Sequence, residues 1–131
     1  MPTFQYAAKF VCGRPEAEEL APGQYFTAIN VHNPTEGDVA LRKKIAVAGR
    51  GERPGPVSNF VDARLGPDEA LEIDCPDIRA HAGADDALLK GFVVIESDVE
   101  LDVVAVYTAA GDSGQVQTLH MERVPPRGTT A

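Results

Sequence analysis

The stretch from Lys90 to Thr118 constrains the fold more than any other part of the chain. With its flanks it reads as three consecutive β-strands, LKGFVVIES, LDVVAVYTAA and QVQTLHMERV, separated by the short reversals DVE and GDSG. Leu101, Val103, Ala105 and Tyr107 alternate onto one face of the middle segment, while Val104 and Val106 make its other face apolar too. A strand that is apolar on both faces is expected to be covered on both sides. The expected fold is therefore all-β: an antiparallel β-sandwich, jelly-roll-like or Greek-key, of about seven to eight strands with at most one short helical turn.

The upstream sequence supplies the remaining strands. Phe4 to Cys12 alternates strictly, with Phe4, Tyr6, Ala8, Phe10 and Cys12 on one face. Gln24 to Asn33, Asp38 to Val47, Val57 to Leu65 and Ala70 to Cys75 read the same way, and Asn33 to Asp38 is a proline- and glycine-bearing turn. Lys43 interrupts the inner face of the third strand and predicts a bulge or a strand end that reaches solvent. Gly49 to Pro56, GRGERPGP, reads as a flexible loop that cannot pair into a sheet. The helical turn is placed at Pro76 to His81, with a proline in its first turn. Residues 1–124 form a single domain, and 125–131 is a flexible tail whose prolines keep it off the sheet.

Composition narrows the function classes. Twenty acidic residues against twelve basic ones give a net charge of −8 over 131 residues. Affinity for nucleic acid built on phosphate neutralisation needs the opposite balance, so nucleic acid is disfavoured as a partner. The basic run Arg42-Lys43-Lys44 reads as a solvated strand face. No apolar run approaches the ~20 residues of a membrane span, so no membrane insertion is expected. Without a basic start ahead of an apolar block at the N-terminus, the expected location is cytoplasmic. Cys12 and Cys75 are accordingly read as reduced core thiols, with a disulfide between them as the alternative.

No motif carries a catalytic constellation. Gly111-Asp112-Ser113-Gly114 resembles the nucleophile loop of chymotrypsin-type proteases over four residues, but a turn between strands explains the same residues. His32, His81 and His120 lack metal-ligand spacing, and Asp74, Asp77, Asp85 and Asp86 lack the spacing of a calcium loop. Gly49-Arg50-Gly51 lacks the lysine and following helix of a phosphate loop. No catalytic residue, metal or cofactor is assigned. The polar residues best placed to contact a ligand or an interface are Asn30, His32, Asp77 and His120.

The order INVHNPTEGDVALRKKIAV, then ERPGPVSNFVDARLGPDEALEIDCPDI, then KGFVVIESDVELDVVAVYTA is similar to the layout of the sensory rhodopsin transducer family. The matching residues are Ile29, Asn30, Asn33, Pro54, Gly55, Pro56, Asp77, Ile78, Ile95, Ser97, Val103, Val104 and Thr108. The resemblance implies a small β-sandwich that assembles into oligomers in the cytoplasm, with roles in signal relay, DNA binding or sugar binding. The Phe4 to Cys12 strand and the final QVQTLHMERVPPR depart from the family pattern. The leading expectation is a non-catalytic interaction and assembly module, an oligomeric adaptor or signal-relay protein whose partners are a second copy of itself and another protein. The alternative is a small-ligand binder, possibly of carbohydrate, or an enzyme, using the loops Gly49 to Pro56 and Pro76 to Ala87 at the mouth of the sandwich.

Overall fold

A computed structural model describes residues 3–129; Met1, Pro2 and the tail residues Thr130 and Ala131 lie outside the described residues. In chain order the strands are β1 (Phe4–Gly13), β2 (Gln24–His32), β3 (Val39–Ala48), β4 (Pro54–Val57), β5 (Val61–Leu65) and β6 (Ala70–Asp74). The helix α1 (Cys75–Ala82) follows, and then β7 (Leu88–Ser97), β8 (Asp102–Ala110), β9 (Val116–Arg123) and β10 (Arg127–Gly128). Every strand pairing is antiparallel, and the all-β expectation holds.

The hydrogen-bonded order is β4-β3-β7-β1-β2-β8-β9, with β5 beside β3, β6 beside β2 and β10 beside β1. This network narrows to one residue pair, Gly13 with Tyr25, where β1 meets β2. The sheet folds over at that joint. Sheet I (β1, β3, β4, β5, β7, β10) then packs on sheet II (β2, β6, β8, β9). Tyr6, Ala8, Phe10, Leu41, Ile45, Val93 and Ile95 from the first half meet Ile29, Val31, Ile73, Val103 and Ala105 from the second in one buried core. Period-2 alternation is the cause, since each strand offers every second side chain to the same face. Gly91 is required where β7 passes Phe10: a Cβ there would lie 3.0 Å from the Phe10 ring and strike the Ala46 carbonyl oxygen.

Several sequence expectations are corrected. The described residues form ten strands, two more than the highest expected number, because segments read as loop and tail pair with the sheet. The GRGERPGP loop ends in β4, where Val57 pairs with Ala46 and Pro54 with Ala48. An edge strand tolerates prolines because its outward N–H groups are not needed. The tail pairs through Arg127 and Gly128 with Gln5 and Phe4, despite the preceding prolines. The helix has eight residues, two turns rather than one. Asp74 caps it, accepting from the Asp77 N–H at 3.3 Å while the Asp77 carboxylate accepts from the Asp74 N–H at 3.1 Å. Gly83 ends it in the left-handed region at φ 64°. Lys43 makes no bulge: β3 pairs with β7 in unbroken register from Leu41 to Val47.

The expected reversal between β7 and β8 is a crossover, not a hairpin. β7 pairs with β1 and β3, whereas β8 pairs with β2 and β9. Leu101 is buried in the connecting segment, where the Tyr6 hydroxyl donates to its carbonyl at 3.1 Å and accepts its N–H at 2.6 Å. β8 is covered on one face only. Val103 and Ala105 are fully buried, whereas Val104 and Val106 on the outer face are half-buried. Finally, Cys12 and Cys75 are disulfide-bonded with Cα atoms 5.6 Å apart, so neither is a reduced thiol. The end of β1 and the first residue of α1 meet beside the β1–β2 joint, within the usual disulfide span.

Candidate functional site

The four polar candidates do not converge. Asn30 lies on the outer face of sheet II, its amide donating to Glu72 at 3.3 Å. Two residues on, His32 is held between Asp102 (Nδ1 to Oδ2, 2.9 Å) and Asp68 (Nε2 to Oδ1, 3.1 Å), and Arg123 reaches the other Asp102 oxygen at 3.2 Å. The hydrogen bond to Asp102 raises the His32 pKa above its ordinary value. Burial opposes the shift, and Asp68 adds to it. Asp77 is the helix-capping partner described above, and His120 sits on β9 with its ring stacked on Tyr107, centroids 6.2 Å apart. Register predicts the His32–Asp102 pair, because these residues are opposed on β2 and β8, but no sequence motif announces it.

His120 lines an apolar groove of about 370 Å³ that none of the other three candidates reaches; Lys9, Val11, Tyr25, Phe26, Tyr107, Thr108, Ala109, Thr118 and Glu122 complete it. The groove exists because sheet II extends past sheet I. Thr118, His120 and Glu122 belong to the inward-facing set of β9, yet all three are exposed. Alternate residues of β1 turn their backbone groups toward this side, where no strand lies beside them. Hydroxyl groups substitute for a strand. Tyr107 donates to the Lys9 carbonyl at 2.7 Å, while Thr27 accepts from the Val11 N–H and donates to the Val11 carbonyl, both at 2.9 Å. Burial lowers the Lys9 pKa, with Lys90 adding to the shift, and the Lys9 ammonium rests over the Phe92 ring, 5.2 Å from its centroid. Burial raises the Tyr107 pKa, and Glu122 adds to it.

A second cavity, about 380 Å³, lies where the two loops expected at the mouth of the sandwich do meet. Gly49, Arg50, Gly55, Pro56, Asp86 and Ala87 line it together with Glu16, Glu19 and Lys90, but none of the four candidates does. Among the described residues, no group of three or more His, Cys, Asp or Glu side chains is arranged to hold a metal ion. Ser113 sits exposed in the β8–β9 turn, which is closed by the Gly114 N–H donating to the Gly111 carbonyl at 2.9 Å.

Four of the large exposed hydrophobic side chains fall on β9 and the adjoining outer face of sheet II. Val116, Leu119 and Met121 are 66%, 63% and 63% exposed, and every residue of β9 is exposed. Leu119 and Met121 lie opposite Thr108 and Val106, and Phe26 continues the patch onto β2. β9 pairs with β8 alone among the described strands. The direction of its backbone groups follows from one bond. The Val124 N–H donates to the Val103 carbonyl at 2.8 Å, so in this antiparallel register Thr118, His120 and Glu122 also bond to β8. Leu119, Met121 and Arg123 therefore aim their N–H and C=O groups at the open edge. Sequence reading placed β9 as a strand but had no signal that it would be an edge.

No family model matches the chain, and no curated protein matches its sequence. A solved structure, that of Thermotoga maritima 1070, is similar in fold, with a TM-score of 0.59 over 95% of this chain and 92% of that one, at 10% identity. At that identity the likeness concerns the fold alone. No helix among the described residues is long and apolar enough to cross a membrane.

Proposed function

We propose that this chain is a non-catalytic interaction and assembly module that associates with a second copy of itself and presents the assembly to another protein. The observation that carries the reading is the open β9 edge: eight residues long, exposed on both faces, and continuous with the apolar patch on sheet II. An edge of this kind is a template for strand addition, and symmetric pairing of identical subunits is the commonest way to close it. The signal-relay role implied by the likeness to sensory rhodopsin transducers belongs to this proposal. A net charge of −8 weighs against nucleic acid as the partner. The test is light scattering across a concentration series. Concentration-dependent dimers or higher assemblies support the reading, and a strict monomer at millimolar concentration contradicts it.

Cytoplasmic placement implies reduced thiols, and the Cys12–Cys75 bridge weighs against it. Counting free thiols in protein taken from intact cells under acid quench decides it: two free thiols favour the cytoplasm, none an oxidising compartment.

A second reading, small-ligand binding, draws on the groove at His120. Stacked Tyr107 and His120 rings offer a platform for an apolar or sugar ring, and Lys9 and Glu122 supply polar contacts. A sugar or aromatic acid that raises the melting temperature of wild-type protein but not of a His120→Ala variant would favour this reading.

A further inference from the structure

Resting on the assembly reading, we infer that two copies pair β9 against β9 in antiparallel fashion, with the twofold axis passing through Met121, so that sheet II runs unbroken across the dimer. The register follows from the groups on the open edge. Leu119, Met121 and Arg123 turn their backbone outward, so a hydrogen-bonded ladder can form only when these odd-numbered residues oppose one another. Along Thr118 to Arg123, the part of β9 in regular register with β8, four interior residues can carry the axis: Leu119, His120, Met121 or Glu122.

Side-chain chemistry separates them. An axis at Glu122 sets two carboxylates directly opposite each other, and like charges so placed destabilise a strand pair. An axis at His120 sets imidazole against imidazole and leaves Glu122 facing Thr118. An axis at Leu119 sets His120 against Thr118 and carries Glu122 past Thr118, where the regular register of the strand ends. The axis at Met121 alone opposes His120 to Glu122, and it does so twice. That pair falls at a non-hydrogen-bonded position, where Cα atoms approach to about 4.5 Å and side chains meet most closely. On the outer face the same register stacks Met121 on Met121 and lays the Arg123 stem along Leu119, covering the two large apolar side chains that β9 leaves 63% exposed. Within one copy, His120 Nε2 already lies 3.9 Å from Glu122 Oε2, so pairing would set each imidazole between two carboxylates.

The opposite edge of the molecule offers no such partner surface. β4 carries Pro54 and Pro56, and β5 is five residues long. β9 has neither proline nor lysine, the residues with which edge strands commonly discourage pairing.

Single-cysteine variants of the full chain test the register. The native cysteines are bridged and buried, leaving the new thiol alone at the surface. Met121→Cys places two thiols at a hydrogen-bonded pair with Cα atoms about 5.5 Å apart, inside the span a disulfide closes. Leu119→Cys faces Arg123 instead, and its two copies are four residues, roughly 13 Å, apart along the strands. On mild oxidation Met121→Cys is expected to form covalent dimer at least tenfold faster than Leu119→Cys or His120→Cys, and the double variant Leu119→Cys/Arg123→Cys to cross-link where neither single one does. Faster cross-linking of Leu119→Cys or His120→Cys, or equal rates for all three, overturns the register. If wild-type protein self-associates yet no β9 cysteine cross-links, the interface lies elsewhere and the inference fails while the assembly reading stands. A wild-type chain that stays monomeric sinks both.

Discussion

On the β3 side of the sandwich the outermost strands are short and obstructed, whereas on the β9 side the last strand is long and bare. β4 and β5 share the length of β3, and the segment between them carries Phe60, on which Arg42 and Lys44 rest 4.0 and 4.6 Å from the ring centroid. Beneath that cover Glu96 is buried. It accepts two hydrogen bonds from Arg42, at 2.6 and 2.9 Å, and one from Gln5 at 2.7 Å. The buried charge of Glu96 is thus paired within the molecule. On the β9 side the comparable arginine, Arg123, reaches only Asp102, at 3.2 Å and largely in water. The lesson is that two edges of one sheet can serve opposite ends: one is closed by intramolecular charge pairing and proline, the other is left available to a partner.

The largest expected effect concerns the joint between the two halves. The bridge links residues 63 apart in sequence, so replacing both cysteines by alanine should cost about 2–4 kcal/mol in chemical denaturation. A loss confined to one half, seen as two separate transitions, would show that the halves are independent units and weaken any comparison of edges within one domain. Next comes the charge contrast. Arg42→Ala strands the buried Glu96 carboxylate and should cost about 2 kcal/mol, whereas Arg123→Ala should cost less than about 1 kcal/mol. Equal costs would erase the distinction between the edges.

Substitution on the bare edge should separate stability from assembly. Met121→Lys is expected to change monomer stability by no more than about 0.5 kcal/mol while weakening self-association at least tenfold. Val57→Lys on β4 should alter neither property. The same loss of association in both variants would move the interface away from β9.

The smallest effects are in pH dependence, and they run in opposite directions on the two sides. Burial pushes the Glu96 carboxyl up, but the hydrogen bonds from Arg42 and Gln5 outweigh it and hold the pKa below 4.5. Its contribution to stability is therefore complete above pH 4.5 and is lost as pH falls through the lower folded value. His32 is raised above 6.5. Its contribution is complete below pH 6.5 and fades as pH rises through the folded value. Denaturation midpoints of Glu96→Gln and His32→Gln across pH 3–8 should each lose one of these two slopes; a wild-type slope retained in either variant would reassign that titration.

Much of the architecture was legible in the sequence. Strict alternation in Phe4 to Cys12 and in Ala70 to Cys75 located β1 and β6 because one face of each is buried. The helix signals were present as well: Asp74 at the cap, Pro76 in the first turn and Gly83 past the end. β4 and β10 were hidden because Pro54, Pro56 and Pro126 argue against strand, a rule that relaxes on an edge. The crossover after β7 was hidden because the short DVE segment suits a hairpin, and only the Tyr6 hydroxyl at Leu101 shows why the chain changes sheets. Of the candidate site, the residue types were visible but their partners were not. His32 meets Asp68 and Asp102, and Asp77 meets Asp74, through pairings that depend on register and capping geometry.

The measurement that bears most directly on the central claim is amide hydrogen exchange along β9, followed residue by residue at low and high protein concentration. The N–H groups of Thr118, His120 and Glu122 bond to β8 and should be protected at both concentrations. Those of Leu119, Met121 and Arg123 point to the open edge; they should exchange freely in dilute protein and become protected as the protein associates. Free exchange at Leu119, Met121 and Arg123 in protein that light scattering shows to be associated would contradict the assignment of β9 as the assembling edge.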